Sequence, residues 1–145
     1  MRKTLIIFTL NLLSLSLISC EEENCYTPPE PTVFEFVNAQ GQNLIASGIL
    51  TKAEIVIYED LGNGNSLGIN VQITKDNKAL LENVGWYDGN KNYIVYIILD
   101  SLKTFNFTVR SSKIKNSCSG YKIDNVNFDN IDSIKKDGYY MLTIE

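Results

Sequence analysis

The sequence predicts an all-β fold, a two-sheet sandwich of about seven or eight short strands. Three observations carry this expectation. Apolar and polar residues alternate in short runs, as in Leu67–Thr74, where Ile69, Val71 and Ile73 fall on one face and Asn70 and Gln72 on the other. A period of two is the mark of a half-buried strand. Gly, Asn and Asp punctuate the runs, residues that tolerate the backbone of tight turns, and after residue 20 no amphipathic helix of useful length occurs.

Taken in order, Pro28, Pro29 and Pro31 give a stiff extended start, since each fixes φ and pushes its predecessor away from helix. Val33–Val37 reads as the first strand, followed by a turn at Gly41 and a short run Asn43–Ile45. Ala53–Tyr58 is the next, closed by Leu61–Asn65, and Leu67–Thr74 then turns at Asp76-Asn77 into Ala79–Val84. Asp88-Gly89 lies between two apolar runs, the usual signal of a hairpin. Tyr93–Leu99 is continuously apolar, as a central strand is, and Phe105, Phe107 and Val109 alternate with Asn106 and Thr108. The alternation of Tyr121 and Ile123 resumes out of phase at Val126 and Phe128, which predicts a bulge near Asp124-Asn125. Ile131 and Ile134 have the spacing of one helical turn, and Tyr140, Leu142 and Ile144 form the last strand.

The spacing suits an immunoglobulin-like or transthyretin-like sandwich, with a small closed β-barrel as the competing arrangement because spacing does not report closure. Trp86 lies between Cys25 and Cys118, as a Trp does between the two cysteines of an immunoglobulin domain. Cys25 precedes the first strand, however, and the interval is too long for that family, so this likeness is architectural only.

The N-terminus carries the most specific signal. Met1-Arg2-Lys3 supplies a positive start, Leu5–Leu17 an apolar stretch, and Leu17-Ile18-Ser19-Cys20 follows. This is the anatomy of a secretory signal, too short for a membrane span. Leu17–Cys20 resembles the lipobox of bacterial lipoproteins. That resemblance implies that residues 1–19 are removed and that Cys20 becomes an acylated N-terminus carrying diacylglycerol and a further fatty acid such as palmitate. Two or more acyl chains hold a protein stably on a bilayer. Glu21-Glu22-Glu23 follows directly and resembles the surface-export signal of lipoproteins in the Bacteroidota. The expected address is therefore the outer membrane, lipid-anchored and facing the cell surface, the alternative being the periplasmic face. The expected organisation is a signal peptide over 1–19, a lipidated tether over 20–32 and one β domain over 33–145.

Removing 19 of the 145 residues leaves 126, one domain's worth of chain. Arg2 and Lys3 leave with the signal, so 11 Lys+Arg face 17 Asp+Glu, a net charge of −6. An acidic body without a basic run argues against a nucleic-acid partner. The absence of histidine excludes Ser-His, Cys-His and His-ligated metal mechanisms. With Cys20 lipidated, Cys25 and Cys118 remain as an even pair in an oxidising compartment, the usual setting of a disulfide; two buried thiols that never meet are the alternative.

No catalytic constellation emerges. Glu35, alternating with apolar neighbours, is the least ordinary carboxylate, although a solvent-facing strand position explains it. Asp60, Asn63 and Asn65 offer oxygen ligands, but their spacing does not match a calcium-binding EF-hand loop. Gly62-x-Gly64 lacks the helix and third glycine of a nucleotide loop and reads as a turn. No cofactor or metal is expected. Trp86 and Tyr87 are the candidate ligand contacts, since aromatic faces stack on sugars and peptide side chains; the competing reading places Trp86 in the core and Tyr87 over a hairpin. Asp100-Ser101-Leu102 and Asp132-Ser133-Ile134 resemble the O-glycosylation sequon of Bacteroidota, which makes Ser101 and Ser133 candidate acceptors. The expected function is that of a non-catalytic, lipid-anchored envelope protein, not an enzyme, binding or assisting an envelope protein or a glycan. The alternative is a small inhibitor or immunity lipoprotein that blocks a hydrolase with a loop within Asn83–Asn92.

Overall fold

A computed structural model describes residues 25–115 and 118–145. The expected signal peptide, Cys20 and Glu21–Glu23 lie outside the described residues. The chain forms β1 (Tyr26–Thr27), β2 (Thr32–Val37), β3 (Ile55–Gly62), β4 (Asn65–Ile69), β5 (Val71–Ile73), β6 (Ala79–Leu81), β7 (Gly89–Ile98), β8 (Leu102–Lys115), β9 (Ser119–Asp129), β10 (Asp132–Lys136) and β11 (Tyr139–Thr143). One sheet has the order β1-β9-β8-β7-β3-β4 and the other β10-β11-β2-β6-β5. They face each other as the expected sandwich and do not close into a barrel. Among the described residues eleven strands replace the expected seven or eight, because several are only two or three residues long. Each sheet contains one parallel pair, β1 with β9 and β2 with β11.

Alternation sets the packing. Phe34 and Phe36 of β2, Tyr93, Val95 and Ile97 of β7, and Phe105, Phe107 and Val109 of β8 all point inward and are buried. Phe34 bridges the sheets, its ring edge-on to Phe107 at 5.2 Å and to Phe128 at 5.5 Å. Tyr93 stacks on Phe107 at 4.7 Å. Offset and edge-on ring pairs of this kind add roughly 0.5–1.5 kcal/mol each beyond the area they bury.

Several local expectations hold. Asp76-Asn77 turns β5 into β6, with Asn77 at φ 56° and its N–H bonded to the Thr74 carbonyl. The bulge falls on Asp124, which has no partner between the pairs Ser111–Ile123 and Arg110–Asn125.

Others are corrected. Leu67–Thr74 is not one strand: β4 lies in the large sheet and β5 in the small one, and Asn70 carries the chain between them. Ile69 and Val71 keep the same phase because both face the core, from opposite sides. Asp88-Gly89 is no hairpin either. Residues 82–88 cross from β6 to β7 in the other sheet, and Gly89, at φ 120°, opens β7. The Asp-Gly hairpin is Asp137-Gly138, joining β10 to β11, where a helical turn over Ile131 and Ile134 was expected. Ile134 stays half exposed because β10 is an edge strand. Asn43–Ile45 contributes only a single bridge, Val37 to Asn43. Part of the expected tether is built into the body, since β1 pairs with the large sheet and Pro29 is buried.

Candidate functional site

The end of the sandwich where the N-terminal segment joins it is the most constrained part of the surface. Cys25 and Cys118 form a disulfide with their Cα atoms 4.8 Å apart, within the range such a bridge spans. Beside it Tyr26 and Thr27 run parallel to Ser119 and Gly120. Gly120 has to be glycine: a Cβ there would lie 2.1 Å from the Thr27 carbonyl oxygen, a backbone atom that cannot move aside. Gly85 is similarly confined, at φ 90° with its Cβ direction blocked by Ile123 and Pro29. The crossing segment 82–88 is thereby pinned under the incoming chain.

This pinning separates the two aromatic residues that the sequence places together. Trp86 is turned outward, 44% exposed, and stacks on Tyr26, itself 48% exposed, with ring centres 5.5 Å apart and planes within 15°. Tyr87 turns the other way. Its ring packs on the core, its hydroxyl donates to the Val109 carbonyl at 2.9 Å, and the Lys91 Nζ lies 4.6 Å from its ring centre. Trp86 is thus a surface residue and Tyr87 a structural one. The Trp86→Ala protein should lose only about 1 kcal/mol, the worth of one aromatic pair, against about 3–5 kcal/mol for a core Trp. Urea denaturation followed by circular dichroism measures this, and a loss in the core range would return Trp86 to the interior.

Register extends the patch. Tyr26 is opposite Ser119, and Ser119 is opposite Lys115, so the three side chains share one face. Lys113, opposite Tyr121, is the next residue on that face of β8. Both lysines are exposed. Lys122, on the other face, is committed to Asp124 at 3.0 Å; that ion pair, with a hydrogen bond from Ser112, holds the Asp124 carboxyl below its ordinary value.

A second surface feature lies on the outer face of the large sheet. Tyr58 of β3 and Tyr96 of β7 meet edge-to-face at 6.1 Å and, with Ile94, floor a shallow groove whose rim is Asp60, Asn63, Asn65 and Ser66. The rim is the β3–β4 hairpin, whose two connecting residues Asn63 and Gly64 both have positive φ, 52° and 78°, as a type I′ turn requires. The Asp60 carboxylate accepts the Gly62 N–H at 2.8 Å and is engaged in shaping the turn. Among the described residues no group of three Asp, Glu, His or Cys side chains is placed to hold a metal ion.

The unusual carboxylate is Glu59 rather than Glu35. Glu35 is half-buried and accepts a hydrogen bond from Asn43 at 3.1 Å. Glu59 is 6% exposed, paired with Lys91 at 2.6 Å. Around it the Tyr93 and Ser111 hydroxyls are buried without a hydrogen-bond partner in the protein. Burial, reinforced by the neighbouring Tyr87, pushes the Tyr93 phenol far above its usual range, so it stays protonated. The sequence held a signal for Glu59, which continues the inward phase of Ile55 and Ile57 on β3.

Ser101, in the β7–β8 turn, and Ser133, on β10, are both exposed. Both sit at the end opposite the disulfide, about 35–45 Å away at some 3.3 Å per residue along β9 and β8. No helix among the described residues is long and apolar enough to cross a membrane. Comparisons with protein-family models, with curated proteins and with solved structures find no match to this chain.

Proposed function

We propose that this protein is a non-catalytic, lipid-anchored module of the outer membrane, displayed at the cell surface, that binds or assists an envelope protein or a glycan. The observation that supports this most is the way the chain enters the body. Five residue steps separate Cys20 from Cys25, an extended reach of at most about 18 Å, and from Cys25 onward the chain is fixed by the disulfide and by β1. An acyl group on Cys20 therefore holds the whole sandwich close to the bilayer, with the disulfide end nearest it. The partner-facing surface is the Tyr58–Tyr96 groove, where two aromatic rings lie beside carboxylate, amide and hydroxyl groups, a combination suited to sugars and polar peptides. Ser101 and Ser133 are the proposed O-glycosylation acceptors. The inhibitor alternative asks for a projecting plug within 83–92, and the pinning of that segment by Gly85 and Tyr87 favours the binding module.

Cells fed an alkyne-tagged palmitate should label the wild-type protein and leave Cys20→Ala unlabelled. In the same cells a photo-crosslinker in place of Tyr96 should give a discrete adduct that is absent when the crosslinker replaces Lys135, an exposed residue of the other sheet. Equal labelling of both proteins removes the anchor, and equal adducts at both positions remove the groove.

A further inference from the structure

We infer that the disulfide end of the sandwich docks on the bilayer itself, with the Tyr26–Trp86 stack seated among lipid headgroups and Lys113 and Lys115 facing their phosphates. The inference rests on the proposed lipid anchor and adds a site to it. Trp86 follows the confined Gly85, and Tyr26 follows the disulfide-bonded Cys25, six positions after Cys20. A tether of at most about 18 Å is shorter than the sandwich is long, so the end that carries the tether faces the membrane and the opposite end faces away.

The chemistry of that end agrees with its position. Two large rings are about half exposed and rigidly stacked, which exposes apolar area that water does not favour. Indole and phenol rings concentrate at the headgroup level, where an apolar ring body and a polar N–H or O–H are both accommodated. Lys115 and Lys113 share the face of the stack through the Tyr26–Ser119–Lys115 row, and their long stems reach toward phosphates while packing along apolar surface. Opposing charge is present too: Glu30 and Asp88 are exposed on neighbouring segments, and Glu21–Glu23 belong to the tether. The aromatic pair therefore supplies the attraction and the lysines set the orientation, so docking does not require a net anionic lipid. The β3–β4 turn that rims the groove points toward this same disulfide end, because Asp60 lies opposite Asn92 and Asn92 opposite Thr108. The groove therefore opens sideways on the outer face of the large sheet, while Ser101 in the β7–β8 turn faces away from the bilayer.

Trp86 is the sole tryptophan, so intrinsic fluorescence reports on this site alone. The full-length lipidated protein is reconstituted into phosphatidylethanolamine–phosphatidylglycerol vesicles, with the unlipidated Cys20→Ala chain in buffer as the reference. Flotation with the vesicles, a blue-shifted emission maximum and loss of roughly half the intensity to brominated acyl chains are expected of a ring at the interface. The Lys113→Glu, Lys115→Glu double variant should still float but lose most of that quenching. Flotation with unshifted, unquenched emission overturns the docking and leaves the anchor standing. Failure to float overturns both. A photo-crosslinker in place of Trp86 that forms protein adducts and no lipid adducts in native outer membranes assigns the stack to a protein partner and overturns the lipid assignment.

Discussion

Replacing Cys25 and Cys118 with serine is expected to destabilise the domain by about 4–5 kcal/mol, the chain-entropy value for a loop of this size. The two cysteines are 93 positions apart, so the bridge encloses most of the folded chain and strongly restricts the unfolded ensemble. For a domain of this length, where 1 kcal/mol corresponds to roughly 4 °C, the melting temperature falls by about 15–20 °C. The structural consequence is local as well. β1 is only two residues long and occupies the edge of its sheet, so without the bridge its pairing has little to hold it. Release of β1 unstacks Tyr26 from Trp86, and Trp86 emission moves toward that of a fully solvated indole before global unfolding. Urea denaturation of the wild-type and double-serine proteins, read by both circular dichroism and fluorescence, checks both statements. A loss below about 1 kcal/mol, far under the loop-entropy value, would mean that noncovalent contacts around Gly120 and Pro29 hold the segment by themselves.

The features legible in the sequence are those set by neighbouring residues. Alternation placed the core residues of β2, β7 and β8 correctly, and the phase slip before Val126 located the bulge at Asp124. What was not legible is which sheet a strand joins. Ile69, Asn70 and Val71 keep one period while the chain changes sheets, because inward-facing residues of both layers look alike in one dimension. The two Asp-Gly pairs show the same limit. Only Asp137-Gly138 joins strands that hydrogen-bond to each other, and the dipeptide carries no information about that. The Tyr58–Tyr96 groove was missed for a related reason: its rings stand on β3 and β7, some forty positions apart, and meet only through sheet pairing. Trp86 is exposed because Pro29 and Ile123 confine Gly85 beside it, a contact among three distant segments.

Lys91→Ala is expected to cost about 2–3 kcal/mol, between the roughly 0–1 kcal/mol of an exposed pair and the roughly 3–5 kcal/mol of a fully buried one, because the Glu59 carboxylate is buried while the Lys91 side chain is 37% exposed. Glu59 points into the sandwich at 6% exposure, and the Lys91 Nζ, 2.6 Å away, is its only ion-pair partner among the described residues. Truncation also removes the cation from the face of Tyr87, 4.6 Å from the ring centre, and uncovers the ring that the lysine stem shields. The remaining carboxylate would then sit beside Tyr93 and Ser111, whose buried hydroxyls are themselves without protein partners. The Lys91→Met, Glu59→Leu double variant should recover most of the loss, because an apolar pair of similar volume needs no desolvation of charge. A double-mutant cycle on urea midpoints separates this coupling from simple truncation. If Lys91→Ala and the double variant both lie within about 1 kcal/mol of wild type, well under the cost of an uncompensated buried charge, then water reaches Glu59 and the pair is a surface contact. If Lys91→Ala is severe and the double variant recovers, the charge pair fixes how β3 and β7 face the core without supplying net stability. Glu59 and Lys91 then belong to the scaffold that positions Tyr87 and, through the crossing segment, Trp86.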